Sequence, residues 1–353
     1  EIWLENALSL CSVRPWFRTA ALMSLSAIAL ILYVAVIAYA SYNVYCWAEL
    51  RRITYPNIYP GASDVGYAVV LGVVFTSLHQ IVQRLLLPMA RMAVVKKDAW
   101  SEKVCESKVE RFGSAVFKFI YFTVSTSILY CSFLAEAEWL PPVLFGTGDV
   151  NQVFGKGHAM DTMKPNENGF SNFYLMCMGY HLGEVIFQVA FELDRPDFKE
   201  MLVHHVTTSF LVYASYQANF VRVGSLVLLV HYASDIPVYG AKVFVDTKMK
   251  TATFLWLLAM LVSWGYLRLY VFPKYIIRVS ITGTAHELEI WGPNALYINT
   301  AFSGSLCALF CLHCYWYWLF LRMGYRHLFK GETKDMQANL NSANATPAEN
   351  KRK

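Results

Sequence analysis

The chain has 353 residues, of which 56% are hydrophobic and only 16% are charged. This composition is too apolar for an ordinary soluble protein of that length and is typical of a chain that crosses a membrane several times. The formal net charge is a modest +5, so we expect no nucleic-acid partner and take the placement of the charges as the more informative signal. Because the chain begins with Glu1 rather than methionine, we expect a fragment or a processed product.

Apolar stretches of about 20 residues, the length needed to cross a bilayer as a helix, occur eight times along the chain. We therefore predict an all-α polytopic membrane protein with about eight transmembrane helices. The predicted spans are residues 20–45, 65–87, 114–134, 171–191, 200–220, 223–245, 253–272 and 296–321.

Lysine and arginine near the helix ends predict the orientation, since cytosolic connections carry an excess of both. Residues 91–118 contain seven basic side chains, whereas residues 136–169 contain two lysines and a larger number of acids. The first connection is therefore predicted to be cytosolic and the second to be lumenal, which places both termini in the cytosol. The tail at 331–353 has no apolar period and is predicted to be disordered, and its glycosylation acceptor at Asn344 should stay unmodified in the cytosol.

Eight cysteines are scattered along the chain without the paired spacing of a secreted disulfide scaffold or a zinc site. Three of them share one helix face beside His313, but a single helix face rarely gives tetrahedral coordination. We therefore predict buried thiols and no metal. The cysteines are Cys11, Cys46, Cys105, Cys131, Cys177, Cys307, Cys311 and Cys314.

Ionisable residues lie inside two consecutive predicted spans, in the stretch from 198 to 244. His204 and His205 are on the first span, and His231 and Asp235 are four apart on the second, so they share one helix face. An aspartate near the middle of a membrane helix costs about 3 kcal/mol, so it needs a partner, and His231 is the nearest candidate. Pro237 follows Asp235 and predicts a kink at this point.

These ionisable side chains are energetically unfavourable inside a bilayer, and their concentration in two spans has two interpretations. The first is catalysis, with a histidine as general base or nucleophile and an aspartate that fixes its tautomer and stabilises the charged ring. The second is a cluster of interhelical hydrogen bonds that only holds the bundle together. Adjacent helical residues point about 100° apart, so we expect one of His204 and His205 to face the cavity. His181 and Glu184, three apart on the fourth span, are candidates to line the same cavity.

These residues match a known pattern. The chain resembles the ceramide synthases, which are acyl-CoA-dependent sphingoid-base N-acyltransferases of the TRAM-LAG1-CLN8 (TLC) superfamily. The residues that carry the resemblance have the spacing of the family's motif, and further matching residues flank them between 104 and 321. This block of residues comprises His204, His205, Ser215, Arg222, Gly224, His231, Ser234, Asp235 and Lys242.

The resemblance implies a fold, an activity and a location. The last six helices should form a barrel-like bundle around a lipid cavity, within a TLC domain at 104–325 that follows an N-terminal region at 1–103 and precedes a tail at 326–353. The protein should join a fatty acyl chain from acyl-CoA to a sphingoid base in the endoplasmic reticulum membrane. Acyl-CoA is then a co-substrate rather than a cofactor, the other partners are membrane lipids, and a homo- or hetero-oligomer is compatible with the family.

Residue roles follow from the same resemblance. His204, His205 and Asp235 are the candidate catalytic residues, and cytosolic access suits the phosphates of CoA. The candidates to line or support the cavity are His231, Tyr232, Ser234, Arg222, His181 and Glu184, and the candidates to contact the CoA phosphates are Arg195, Lys199 and Lys242.

The sequence departs from the family pattern in the cysteine-glutamate-serine motif at 105–107, which has an extra residue and lacks the usual tryptophan, and at two positions after His231. The family commonly has an aspartate where this chain has Tyr232 and a glutamate where it has Tyr239. An alternative function is therefore a catalytically impaired paralogue that binds sphingolipid or regulates an active partner. A di-iron desaturase or hydroxylase is set aside, because its two metals need clustered histidine boxes and most of the nine histidines here are isolated.

Overall fold

A computed structural model describes most of the chain between residues 15 and 330. Side chains are described within nearly all of that backbone, from residue 26 to residue 325. The backbone ranges are 15–54, 59–96, 100–154, 169–193, 195, 197–282 and 295–330. The predicted tail at 331–353, with Asn344, lies outside the described residues, as does Cys11.

Helices make up almost all of the described chain. Helices α4 and α8 continue as π-helical segments, Leu129–Leu134 and Trp264–Ile277, and two 3-10 helices, Pro142–Leu144 and Val150–Phe154, lie between α4 and α5. The α-helices are α1 (Pro15–Thr54), α2 (Asp64–Leu85), α3 (Leu87–Ala93), α4 (Glu102–Ile128), α5 (Phe170–Phe191), α6 (Phe198–Gln217), α7 (Val221–Phe244), α8 (Lys250–Ser263) and α9 (Ala295–Lys330).

Each of the eight predicted spans corresponds to one of the long helices, and the all-α polytopic membrane fold is confirmed. Within the described residues, six helices are long and apolar enough to cross a membrane. Helices α5 and α6 are not among these six, although at 22 and 20 residues they have the necessary length. They are the two helices that carry the polar residues His181, Glu184, His204 and His205.

The last six long helices, α4 to α9, surround a cavity of about 450 Å³. Helix α7 packs against α4 on one side and α8 on the other, α9 packs against α8 and α6, and α6 packs against α5. Helix α1 lies against α6 and α9, and α2 lies against α5 and α4. Residues that line the cavity run from Phe220 to Val245 on α7, so it extends over about 35 Å of the bundle.

A tight turn joins α6 to α7 and fixes the two helices that carry the polar block. Asn219 has a left-handed backbone with φ of 59°, which asparagine tolerates better than most residues. The Phe220 amide donates to the Ser215 carbonyl at 2.7 Å and closes the end of α6. Helix α7 then runs without interruption through Pro237 to Phe244.

The expectation that the cysteines are buried is wrong for most of those described. Only Cys177 is buried and Cys105 is intermediate. An apolar stretch of a membrane protein has a face toward lipid as well as a face toward the core, and we expect the exposed thiols to face lipid. The exposed cysteines are Cys46, Cys131, Cys307, Cys311 and Cys314.

Helices α2 and α5 approach each other closely because glycines lie at their contact. A Cβ atom added at Gly179 would lie 2.5 Å from the Cβ atom of Leu71, and one added at Gly183 would lie 2.8 Å from the Gly72 carbonyl oxygen. Small residues of this kind let membrane helices pack backbone against backbone.

We predict that Gly179→Ala destabilises the protein by about 1–3 kcal/mol, because the new methyl group forces α5 away from α2. Gly66→Ala on α2 is the matched control, since a Cβ atom there would meet nothing within 4 Å. Thermal unfolding in detergent measures both variants. An equal melting temperature for Gly179→Ala and the wild type would contradict the close packing of α2 on α5.

The orientation of the bundle has its own test. Asn168→Thr creates a glycosylation acceptor at Asn166, in the connection predicted to be lumenal. We expect a mass increase removable by endoglycosidase in this variant, and no glycan on Asn344 in the wild type. Modification of Asn344 with an unmodified Asn166 would reverse the predicted orientation.

Candidate functional site

Most of the predicted site residues meet at the central cavity, and they come from three helices. His204 and His205 are on α6, His181 and Glu184 are on α5, and the others in the wall are on α7. The predicted residues that line the cavity are His181, Glu184, His204, His205, His231, Tyr232, Asp235 and Lys242. Ser234, Arg222, Arg195 and Lys199 do not line it.

Both adjacent histidines reach the cavity wall, so the expectation that only one faces it is wrong. Their ring centroids are 5.4 Å apart, and the His204 ring packs edge-on against Trp316 at 5.2 Å. The cavity covers a wide arc of α6, which is why positions 100° apart both border it. The Nδ1 atom of His204 has no hydrogen-bond partner among the described residues.

Asp235 is paired with Arg268 and not, as the sequence predicted, with His231. The Arg268 guanidinium donates from Nη2 to the Asp235 carboxylate at 2.6 Å and from Nε to the Ser234 hydroxyl at 2.6 Å. Arg268 is 1% exposed and lies 3.9 Å from the centroid of the Trp264 ring. A full positive charge outcompetes an imidazole for a buried carboxylate. The signal for this pair was an arginine inside a predicted membrane span, which is itself expensive and needs a partner.

His231 instead forms a pair with His313. The Nδ1 atom of His231 lies 2.7 Å from the Val227 carbonyl, to which it donates. Its Nε2 atom lies 3.2 Å from the Nε2 atom of His313, so one ring donates a hydrogen bond to the other. His313 is fully buried, away from the exposed cysteines with which its sequence position had grouped it.

A second buried ion pair lies in the wall contributed by α5. The Lys118 ammonium contacts the Glu184 carboxylate, and both residues are 5% exposed. His79 lies beside them, with Nδ1 3.6 Å from the carboxylate and Nε2 2.8 Å from the Ser114 hydroxyl. Lys118 was predicted to lie in a cytosolic connection, but the residue belongs to α4 and is buried in the bundle.

Tyr232 is held in a packed, hydrogen-bonded position. It is 1% exposed, and its hydroxyl lies 3.0 Å from the His181 Nε2 atom and 3.2 Å from the Tyr121 hydroxyl. Its ring packs against Phe122 with centroids 5.2 Å apart. Tyrosine supplies a hydrogen bond here but no negative charge at neutral pH.

The predicted phosphate contacts differ in their surroundings. Arg195 donates to Glu192 at 2.8 Å and to Asp197 at 3.0 Å, and Lys199 donates to the Ser26 hydroxyl at 2.5 Å. Burial opposes the charge on Arg195, but its two carboxylate partners outweigh burial and raise the pKa of the guanidinium. Lys242 alone of the three lines the cavity, where Arg111 and Arg322 join it.

Arg222 is also outside the cavity, although it belongs to the sequence block. Its guanidinium lies 4.5 Å from the centroid of the Trp139 ring, at the end of α7 opposite Lys242. This contact connects the start of α7 to the segment between α4 and α5. Arg222 and Ser234 therefore support the helices that form the wall.

The arrangement brings together groups that are suited to acyl transfer chemistry. Neutral imidazoles in a cavity with mostly apolar walls can accept a proton or attack a carbonyl carbon. A carboxylate held in the cavity wall, as Asp235 is, can stabilise the positive charge that an imidazole then acquires.

Comparison with known proteins gives the same family. Residues 111–322 match TRAM_LAG1_CLN8, described as the TLC domain. The chain is 33% identical to "Ceramide synthase hyl-1" of Caenorhabditis elegans over 173 residues, 47% of this chain and 47% of the relative. It is 33% identical to "Ceramide synthase LOH2" of Arabidopsis thaliana over 151 residues, 42% and 51% of the two chains. It is 29% identical to "Ceramide synthase 4" of Homo sapiens over 239 residues, 67% and 56%.

These matches confirm the resemblance that the histidine-to-lysine block suggested. The chain spans about half the length of the curated relatives that it matches. The matched region contains helices α4 to α9, which surround the cavity, for nearly all of their length. The chain belongs to the TLC domain family.

Proposed function

We propose that the protein transfers a fatty acyl group from acyl-CoA to the amine of a sphingoid base and so forms ceramide or dihydroceramide. The observation that carries this proposal is that His204 and His205 both face one long cavity with Asp235 in the same wall. The names of the similar proteins, all ceramide synthases, support the same reaction.

The reaction needs one proton acceptor and a place for two long chains. The amine nitrogen attacks the thioester carbonyl carbon, a histidine ring nitrogen takes the amine proton, and the bond from carbon to sulfur breaks. The sulfur takes a proton and leaves as the thiol of CoA. In a variant of this route the histidine first carries the acyl group, and the amine then displaces it. On α6, 11 residues separate His204 from Ser215, which gives about 16 Å of apolar cavity beyond the histidines for a hydrocarbon chain.

The charged end of the cavity suits CoA. Lys242, Arg111 and Arg322 line it there, and phosphate oxygens bind to ammonium and guanidinium groups. Under the predicted orientation this end opens to the cytosol. We place the protein in the endoplasmic reticulum membrane with both termini cytosolic, and we assign the first phosphate contact to Lys242 rather than to Arg195 or Lys199.

A second candidate function is that of an impaired paralogue that binds sphingolipid or regulates an active partner. Tyr232 favours it, because a neutral hydroxyl stands where the family commonly has an aspartate. The packing of Tyr232 against His181 and Tyr121 favours the first candidate instead, since the tyrosine is integrated into the wall of the site.

We predict that His204→Ala and His205→Ala each lower kcat by about 10²-fold or more, as loss of a general base does. Melting temperature should change little for His204→Ala, because the Nδ1 atom of His204 has no hydrogen-bond partner to lose. The assay uses purified protein, sphinganine and a panel of acyl-CoAs, with the amide product measured by mass spectrometry. Cys311→Ala, on the lipid-facing side of α9, is the control and should match the wild type.

Two results would count against catalysis by these histidines. One is full activity in both alanine variants. The other is loss of folded protein in step with loss of activity, which would favour the interpretation as a structural hydrogen-bond cluster.

We predict that Tyr232→Asp lowers both turnover and melting temperature. The change removes a packed ring, leaves a cavity and places a carboxylate next to the apolar ring of Phe122. Tyr232→Phe keeps the ring and removes only the hydroxyl, so its melting temperature should stay closer to that of the wild type. A rise in kcat for Tyr232→Asp over a slow wild type would instead support the impaired paralogue.

A further inference from the structure

Two of the carboxylates that line the cavity, Asp235 and Glu184, are each held by a cation from a different helix. Asp235 on α7 is bound to Arg268, and Glu184 on α5 is bound to Lys118 on α4. The reaction proposed above uses Asp235. It gives no role to Glu184 or Lys118, although a buried ion pair in a membrane bundle is expensive to keep unless it serves a purpose.

The two carboxylates do not act on the same groups. Asp235 is turned toward α8, where Arg268 binds it together with the Ser234 hydroxyl. Glu184 lies on α5, which is antiparallel to α6: the Gln188 side chain donates to the Phe198 carbonyl, and the Tyr174 and Ser215 hydroxyls lie 2.6 Å apart. This register places Glu184 at the level of the adjacent histidines in the cavity wall, and His204 packs instead against Trp316 on α9. The carboxylate that serves His205 is therefore Glu184.

We propose that Glu184 is a positioning residue that stabilises the positive charge on His205 during acyl transfer, with Lys118 holding the carboxylate in place. Glu184, on α5, supplies the second negative charge. The family commonly has that charge on α7, at the position where this chain has Tyr232. This role rests on the proposed function, since it concerns the charge that His205 acquires when it accepts the amine proton.

Lys118 and His79 keep the Glu184 carboxylate ionised and in a fixed position. A lone carboxylate inside the bilayer would take up a proton and lose its charge, whereas an adjacent ammonium keeps it ionised. His79 is stacked between Phe117 at 4.6 Å and Phe187 at 3.9 Å, so it lies in a fixed position beside Glu184. The carboxylate is thus oriented before substrate enters, which is the condition for electrostatic stabilisation without reorganisation.

The test separates this role from a structural one by the choice of variants. Glu184→Gln removes the charge, and Glu184→Asp keeps it on a shorter side chain. The double variant Lys118→Met with Glu184→Leu replaces the whole pair with apolar side chains, which a bundle often tolerates without loss of stability. The matched control is Lys108→Met with Asp246→Leu, which removes a slightly more exposed ion pair, 3.1 Å long, outside the cavity.

Steady-state kinetics with sphinganine and one acyl-CoA are measured for each protein, together with its melting temperature. We expect Glu184→Gln to lower kcat by about 10- to 100-fold with KM nearly unchanged, and Glu184→Asp to recover part of the loss. The double variant should fold and yet remain as slow as Glu184→Gln, whereas the control pair should keep the kcat of the wild type.

The contrary outcomes are distinct. A double variant that folds and turns over at the wild-type rate would show that the pair is only structural and would overturn this role. Equal losses of kcat in the double variant and in the Lys108 and Asp246 control would overturn this role as well. A wild type without acyl transfer would overturn the proposed function itself, and the role of Glu184 with it.

Discussion

A bare charge is not tolerated inside a bilayer, and this constraint decides which helices of the bundle must be neighbours. Asp235 on α7 requires Arg268 from the π-helical continuation of α8, and Glu184 on α5 requires Lys118 from α4. Each pair joins two helices of the cavity wall. The apolar contacts hold the bundle together, but the ion pairs fix which faces of α4, α5, α7 and α8 turn inward.

The site follows from that arrangement. The tight turn at Asn219 sets α6 beside α7, so the adjacent histidines of α6 face the same space as Asp235. Charge is concentrated at the end of the cavity near Lys242, while the walls beyond the histidines are mostly apolar. A ligand with a charged head and a long hydrocarbon tail therefore fits the cavity in one orientation only, with its head at Lys242 and its tail between the apolar walls.

The sequence predicted the fold well, because a run of about 20 apolar residues has few alternatives to a membrane helix. It predicted the residues His204, His205 and Asp235 as members of one cavity, since each is expensive in a bilayer. It could not predict the partner of Asp235, because Arg268 is 33 residues away and only helix packing brings the two together. Lys118 was missed for a related reason. The predicted span began at residue 114, so Lys118 was counted with the cytosolic charges, but α4 begins twelve residues earlier, at Glu102.

The central claim is that the cavity presents an acyl thioester to the histidines of α6 with CoA at the Lys242 end. The most direct test is an experimental structure with a ketone analogue of acyl-CoA, in which a methylene group replaces the thioester sulfur. The account predicts that the carbonyl carbon lies within about 3.5 Å of a ring nitrogen of His204 or His205, with the acyl chain toward Ser215. A carbonyl group remote from both rings, or CoA bound at the opposite end near Arg222, would contradict it.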